Sequence, residues 1–466
     1  MRPPARLVLQ AVVSLALVPA LHAEGLEDLT ARYVREYARG LSTHRSIPSF
    51  SRQTGLACNA CHTAFPHLTP FGRMFKLNGY TMTALQMVEA GDSGQRPSLR
   101  LDLIPPISAM VISSFTQTAK AQPGTQNGTV QFPQQLSLFF GEAITPRLGT
   151  FLQITYDPVA GGIGMDNADI RYANRTKVGG KSLLYGFTLN NNPTVQDVWN
   201  TVPAWGFPYA TSAVAPSPAA SVLLDGSLGQ RAAGLGTYML WDNHLYGEIS
   251  LYRSSVQGGG ALADSTAIGT IHGVGPYWRA YFHQQMGRQD LMIGTLGMST
   301  SIFPKGVTGL RNRFTDIGFD AQYELPIGDG KGGFTTHAIW MHEKQSLAAD
   351  LAAEAAEHPT NTLNTLRLDA SVYTAGRLGF TMGYFSTSGT TDALRYPEGG
   401  IGGSAIGSPN SNGLIFQASA LPWLNTRFEI QYVMYRKFNG ANINYDGSGR
   451  NAKDNNTLYL MSWVAF

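Results

Sequence analysis

In the stretch Asp316-Ile-Gly-Phe-Asp-Ala-Gln-Tyr-Glu-Leu325 every second residue changes character. Ile317, Phe319, Ala321, Tyr323 and Leu325 fall on one face of an extended chain, and Asp316, Gly318, Asp320, Gln322 and Glu324 on the other. A helix would mix the two sets, so the period of two predicts a β-strand. The pattern recurs in Leu366–Thr374, where Leu366, Leu368, Ala370 and Val372 alternate with Arg367, Asp369, Ser371 and Tyr373. It recurs in Arg427–Met434, and in Asn167–Tyr172, where Ala168, Ile170 and Tyr172 alternate with Asn167, Asp169 and Arg171. A soluble sandwich would alternate as well, so periodicity alone does not place these strands in a membrane.

The connections narrow the choice. About sixteen strands are predicted between residues 106 and 466, and their links alternate short and long. Asp242-Asn243-His244, Gly287-Arg288-Gln289, Ala375-Gly376-Arg377 and Pro422-Trp423-Leu424 are short, and each is followed one hairpin later by a long stretch rich in Gly, Ser, Asn and Asp. An even number of antiparallel strands with short turns at one end and long loops at the other describes an outer-membrane barrel. The chain ends in a strand closing on Phe466, and Trp241 and Trp423 at strand ends fit interfacial girdles. The composition agrees: charged residues make up 14%, aromatics 11%, and there are 52 glycines. A formal charge of +3 with no basic stripe gives no reason to expect nucleic-acid binding.

The only two cysteines lie in Cys58-Asn59-Ala60-Cys61-His62. Two thiols at this spacing can add to the two vinyl groups of haem while the following imidazole ligates iron, so the motif predicts one covalent haem c on Cys58 and Cys61, with His62 as proximal ligand. A small disulfide or a redox dithiol are the other readings, and neither gives His62 a role. The start of the chain agrees with export. Arg2 and Arg6, an apolar run from Leu7 to Leu21, and small residues at Ala20 and Ala23 have the layout of a signal peptide. The expected organisation is therefore a signal peptide (1–23), a small α-helical c-type monohaem domain (24–101) and a mainly β, porin-like barrel (102–466) in a bacterial outer membrane.

Within the haem segment, Thr69 as cap, Pro70 in the first turn and Asn78-Gly79 as exit predict a helix over 70–77. Arg52, Arg73 and Lys76 are either propionate partners or surface charges. The distal iron ligand is open among Met74, Met82, Met87, His44, His67 and a side chain of the barrel wall. His67 would need a sharp chain reversal after Pro66 to reach the far haem face. Same-strand pairs of opposite sign, Asp169 with Arg171, Arg367 with Asp369 and Arg427 with Glu429, either anchor a plug or are ordinary porin wall. Ala348–His358 is expected to form a short helix with a solvated acidic face, and Gly399–Gly403 an outer loop. Exposed loop acids such as Glu354, Glu357 and Asp446 would draw cations toward the mouth.

PSFSRQTGLACNACH (Pro48–His62), FPHLTPFGR (Phe65–Arg73) and FKLNGY (Phe75–Tyr80), ahead of a porin-like barrel that carries NADIRY (Asn167–Tyr172), resemble the fused outer-membrane cytochrome-porins of iron-oxidising bacteria. The resemblance is detailed over about Ile47 to Tyr80 and one of architecture beyond. It implies an iron(II) oxidase that takes electrons from an extracellular donor, ferrous iron first, and passes them through one haem to a soluble periplasmic cytochrome or similar acceptor. The alternatives are a transport porin whose haem plug acts as gate or redox sensor, and a soluble periplasmic cytochrome with a β-rich binding domain.

Overall fold

The structure, a computed structural model, describes residues 48–82 and 106–466 apart from 160, 256–268, 329–331 and 375–376. The expected signal peptide, His44 and Met87 lie outside the described residues. Sixteen antiparallel strands form the barrel: β1 (Ile107–Thr118), β2 (Thr129–Thr145), β3 (Leu148–Asp157), β4 (Gly162–Val178), β5 (Lys181–Asn190), β6 (Ala232–Trp241), β7 (Leu245–Ser254), β8 (Gly275–Met286), β9 (Gln289–Phe303), β10 (Asn312–Ile327), β11 (Gly332–Ser346), β12 (Thr360–Thr374), β13 (Leu378–Gly389), β14 (Ser411–Trp423), β15 (Thr426–Lys437) and β16 (Thr457–Ala465). Each pairs with its neighbours in sequence, and β16 closes the ring on β1 with Thr457 opposite Thr118 and Ala465 opposite Met110. Closure removes the edges that an open sheet would expose. One end carries tight turns; at Asp242-Asn243 both residues have positive φ, the primed geometry that matches strand twist. Apart from the short link at 158–161, the other end carries the longer loops, Gly399–Gly403 among them.

Which face each residue takes explains why the barrel lies in lipid. Leu235, Ile249, Phe319, Phe380 and Ile430 point outward and are exposed, while Asp169, Arg171, Glu248, Arg279, Asp320, Gln322 and Glu429 point inward and are buried. A water-soluble barrel has the reverse arrangement. Among the described residues no helix is long and apolar enough to cross a membrane, so the strands do the crossing. Trp241 and Trp423 stand exposed at the short-turn ends of β6 and β14, where a girdle belongs. Ile249→Lys, near the middle of β7, is expected to cost about 2–4 kcal/mol. The measurement is the denaturant midpoint of refolding into bilayers, and an unchanged midpoint would mean that this face does not meet lipid.

Two pieces fill the lumen. The connection 191–231 folds inward: Val195, Val198, Trp199 and Val202 are buried, Asp197 meets Arg279 at 3.0 Å, and the N–H groups of Leu223 and Leu224 donate to Glu343 and Asp316. The other piece is the segment 48–82, built from α1 (Ser49–Thr54), α2 (Cys58–Cys61), a small hairpin (His62–Ala64 with His67–Leu68) and α3 (Pro70–Leu77). Its wall partners Arg175, Tyr238, Asp290, Glu324, Arg427 and Trp463 all sit toward the short-turn end of their strands. The segment is thus a plug inside the lumen at that end, with the inward loop packed on it.

Several sequence expectations change here. Asp169 pairs with Arg171 at 2.7 Å and Arg427 with Glu429, but Arg367 pairs with Asp225 of the inward loop and Asp369 with His337 at 2.7 Å. The reason is register: His337 stands directly opposite Asp369, nearer than the next same-face residue along its own strand. The helix in the 347–359 loop is short (Ala348–Ala352), and Asp350 bridges to Arg395 at 2.5 Å. Asp446 is buried and accepts the N–H groups of Ser448 and Arg450, so it holds its own loop and is not the exposed acid that the sequence suggested.

Candidate cofactor site inside the lumen

The site starts from one turn of helix. α2 is the four residues Cys58–Cys61, and the His62 N–H donates to the Cys58 carbonyl, so the two thiols and the imidazole leave the first, fourth and fifth positions of one turn. No disulfide joins the cysteines. Burial, and then the charge of Cys58, push the Cys61 thiol up to about 12. A redox dithiol needs the opposite, a thiolate stabilised by its surroundings. Burial pulls His62 down to about 4, against the hydrogen bonds its ring makes to the Pro66 and His67 backbone, so the ring is neutral, as metal ligation requires. Its Nδ1 lies 3.3 Å from the Pro66 carbonyl, which orients the ring and presents Nε2 as the nitrogen for a metal.

The second helix holds that turn in place. Thr69 caps α3 by accepting the Gly72 N–H at 3.1 Å and donates its own hydroxyl proton to the Ala60 carbonyl at 2.6 Å, tying α3 to α2. Gly72 lies so close to the Cys61 carbonyl that a Cβ there would stand 2.2 Å from the oxygen, so only glycine permits this packing. Gly79, at φ +71°, ends α3 and rests against the Arg171 carbonyl. Tyr80 then donates to Asp169 at 2.7 Å, and the Leu77 carbonyl accepts from Tyr238 at 2.7 Å. The FKLNGY and NADIRY stretches therefore meet: the first ends the plug and the second is the wall that receives it.

The three basic candidates face protein. Arg73 forks between Asp290 (2.8 Å) and Glu324 (2.7 Å) and lies over the Trp199 ring at 4.0 Å. Lys76 donates to the carbonyls of Val195 (2.7 Å) and Asp197 (2.8 Å), and burial with the neighbouring Arg171 pushes it down to about 7. Arg52 reaches the Ile107 carbonyl at 2.5 Å. These charges dock the plug to wall and loop.

A tetrapyrrole needs an apolar wall, and the lumen supplies one beside the plug. Met110, Ile112, Tyr459 and Met461, on the inward faces of β1 and β16, form a buried cluster against Phe139, Ala210 and Trp463. Porin lumens are ordinarily polar. Phe65, whose ring lies 5.3 Å from that of His62, stacks on Trp463 at 5.3 Å. Phe151 continues the aromatic lining between Phe139 and Tyr80, and Trp205 of the inward loop meets it. Paired thiols, an oriented neutral imidazole and an apolar lumen wall fit haem c. The distal candidates divide: Met82 packs with Cys61, Leu56, Ala60 and Phe71, while Met74 packs toward the wall with Leu184, Trp199 and Tyr238. His67 does make the sharp reversal, but its ring turns to β10 and β11.

The partners of the plug were not legible in advance. Asp290, Glu324, Trp199, Trp205 and Asp197 lie more than a hundred residues from it in sequence and belong to strands and a loop with no local mark. Of these, only the strand residues Asp290 and Glu324 carried a sequence signal, an acidic side chain on an alternating strand.

No family model matches the chain, and no curated protein does. Solved structures similar in backbone include the anion-selective porin from Comamonas acidovorans (13% identity, 77% of this chain and 98% of that one, TM-score 0.45). OmpF of Salmonella typhi, solved with daunomycin, has 13% identity over 77% of this chain and 97% of that one (TM-score 0.44). The DcaP channel of Acinetobacter baumannii has 10% identity over 77% and 96% (TM-score 0.42). At these values they add nothing to what the strand pairing shows.

Proposed function

We propose that this chain is an outer-membrane cytochrome-porin that carries electrons from an extracellular donor, ferrous iron, through a single haem c to a soluble periplasmic carrier. The observation that carries the reading is the Cys58-to-His62 turn held inside a closed membrane barrel, at its short-turn end. Haem c supplies a one-electron ferric/ferrous couple. The chain would supply the rest: Cys58 and Cys61 would fix the ring, His62 would ligate its iron, and the β16–β1 wall with Phe65 and Trp463 would keep water from one side. Trp463 lies close to the C-terminal Phe466, so the plug's exit side faces the end where short turns place the periplasm. Each ferrous ion gives up one electron and becomes ferric without passing the plug, so insoluble product never enters the periplasm.

The test uses purified protein in liposomes with a soluble c-type cytochrome enclosed and ferrous iron outside. Reduction of the enclosed cytochrome is expected with the intact chain and not with His62→Ala. Equal transfer by the variant sinks the conduit reading.

A further inference from the structure

The plug meets the wall at one place that docking does not explain. His67, from the plug hairpin, and His337, from β11, are both buried, and their ring centroids lie 5.3 Å apart at 63°. Each ring has one nitrogen engaged. His337 Nδ1 is 2.7 Å from Asp369 Oδ2, and His67 Nε2 lies 3.3 Å from the Gln322 amide and 3.6 Å from Glu324. The other two nitrogens, His67 Nδ1 and His337 Nε2, are buried with no partner, and so is the hydroxyl of Tyr209 on the inward loop. Tyr209 lies within electrostatic reach of Asp369 and Glu324. A buried polar atom without a partner is unfavourable, and two on adjacent rings need a reason.

We infer that His67 and His337 form a transition-metal site in the lumen, separate from the haem iron, taking a divalent first-row cation with water completing its shell. Imidazole is the ligand such ions favour over the hard, oxygen-bound cations. Two imidazoles on one tetrahedral ion, each with a nitrogen–metal bond of about 2 Å, bring their ring centres to about 5 Å, which matches the pair. Asp369 behind His337 is the carboxylate that metal-bound histidines commonly carry on the far nitrogen. Among the described residues no three His, Cys, Asp or Glu side chains converge on one point. The site is therefore a two-imidazole one with open positions, suited to an ion that comes and goes. His67 belongs to the hairpin that starts at His62, so an ion held here is a few residues of chain from the proposed haem ligand. On the conduit reading, and resting on it only for the natural occupant, that ion is the ferrous donor.

The probe is zinc(II), which is redox-inert, titrated by equilibrium dialysis into the purified, haem-loaded full chain in detergent. One saturable zinc per chain is expected. His67→Ala and His337→Ala should each abolish it, and Asp369→Asn should weaken it by about 10–100-fold. Heat-modifiable mobility and haem staining report whether each variant has folded. No saturable zinc, or zinc bound equally by both histidine variants, overturns the site and leaves a bridging water as the partner of both rings. Zinc binding is read without electron transfer, so it can succeed where the liposome assay fails; the site then stands and the ferrous assignment falls.

Discussion

Replacing Cys58 and Cys61 together with alanine is expected to yield a folded barrel that carries no haem stain after denaturing electrophoresis. The intact chain should keep its stain under the same conditions and should not release haem into acidified organic solvent. The effect is all-or-none because a thioether survives unfolding and an iron–imidazole bond does not. The barrel should be indifferent, since Cys61 packs with Leu56, Ala60, Phe71 and Met82 of the plug itself, and the Cys58 thiol lies 3.8 Å from the Ser51 hydroxyl of the plug. Heat-modifiable mobility measures that indifference. His62→Ala should behave differently, keeping the stain while its absorption spectrum changes as the proximal ligand is lost. Haem extracted from the intact chain by acidified solvent would show that it is not covalently held, and the cysteines would then need another role.

The barrel was legible because lipid outside and polar lumen inside impose a clean period of two. Ile317 and Asp316, or Phe428 and Glu429, declare their faces in sequence, and the turns declare the strand ends. Legibility fails where the physics stops being two-sided. β16 does not alternate cleanly because its inward residues Tyr459, Met461 and Trp463 are as apolar as its outward Leu458, Leu460 and Val464. The same holds for Met110 and Ile112 on β1. That lapse is itself informative: an apolar lumen face marks where something other than water is covered. α3 was legible to the residue because Thr69, Pro70 and Gly79 act locally. Arg73 was not, because its partners Asp290 and Glu324 reach it only once the ring has closed. The Arg367–Asp369 expectation failed for the same reason, cross-strand register outranking proximity along the chain.

Arg73→Ala is expected to undock the plug and open the channel. In the intact chain the guanidinium is buried, holds Asp290 and Glu324 at 2.8 and 2.7 Å, donates to the Leu68 carbonyl at 3.2 Å and lies over Trp199 at 4.0 Å. Its removal leaves two lumen carboxylates without their shared cation, with only His283, 2.9 Å from Asp290, and the Gln322 amide beside Glu324 to offset the loss. Losing one partner of such a buried network costs about 3–5 kcal/mol. Lys76, Tyr80 and Arg427 remain as anchors, so the plug should stay tethered yet dock far less firmly. Arg73→Lys should fall between, because one ammonium cannot fork to two carboxylates in the plane that a guanidinium offers. Three measurements follow the change in planar bilayers and in solution. Single-channel conductance of the intact chain should be low and should rise in Arg73→Ala; protease should cut within 48–82 only in the variant; heat-modifiable mobility should not move, since Arg73 takes no part in the strand ladder. A large conductance in the intact chain would favour the transport porin over the electron conduit. Unchanged conductance and protection in Arg73→Ala would mean that the inward loop 191–231, and not this ion pair, keeps the lumen shut.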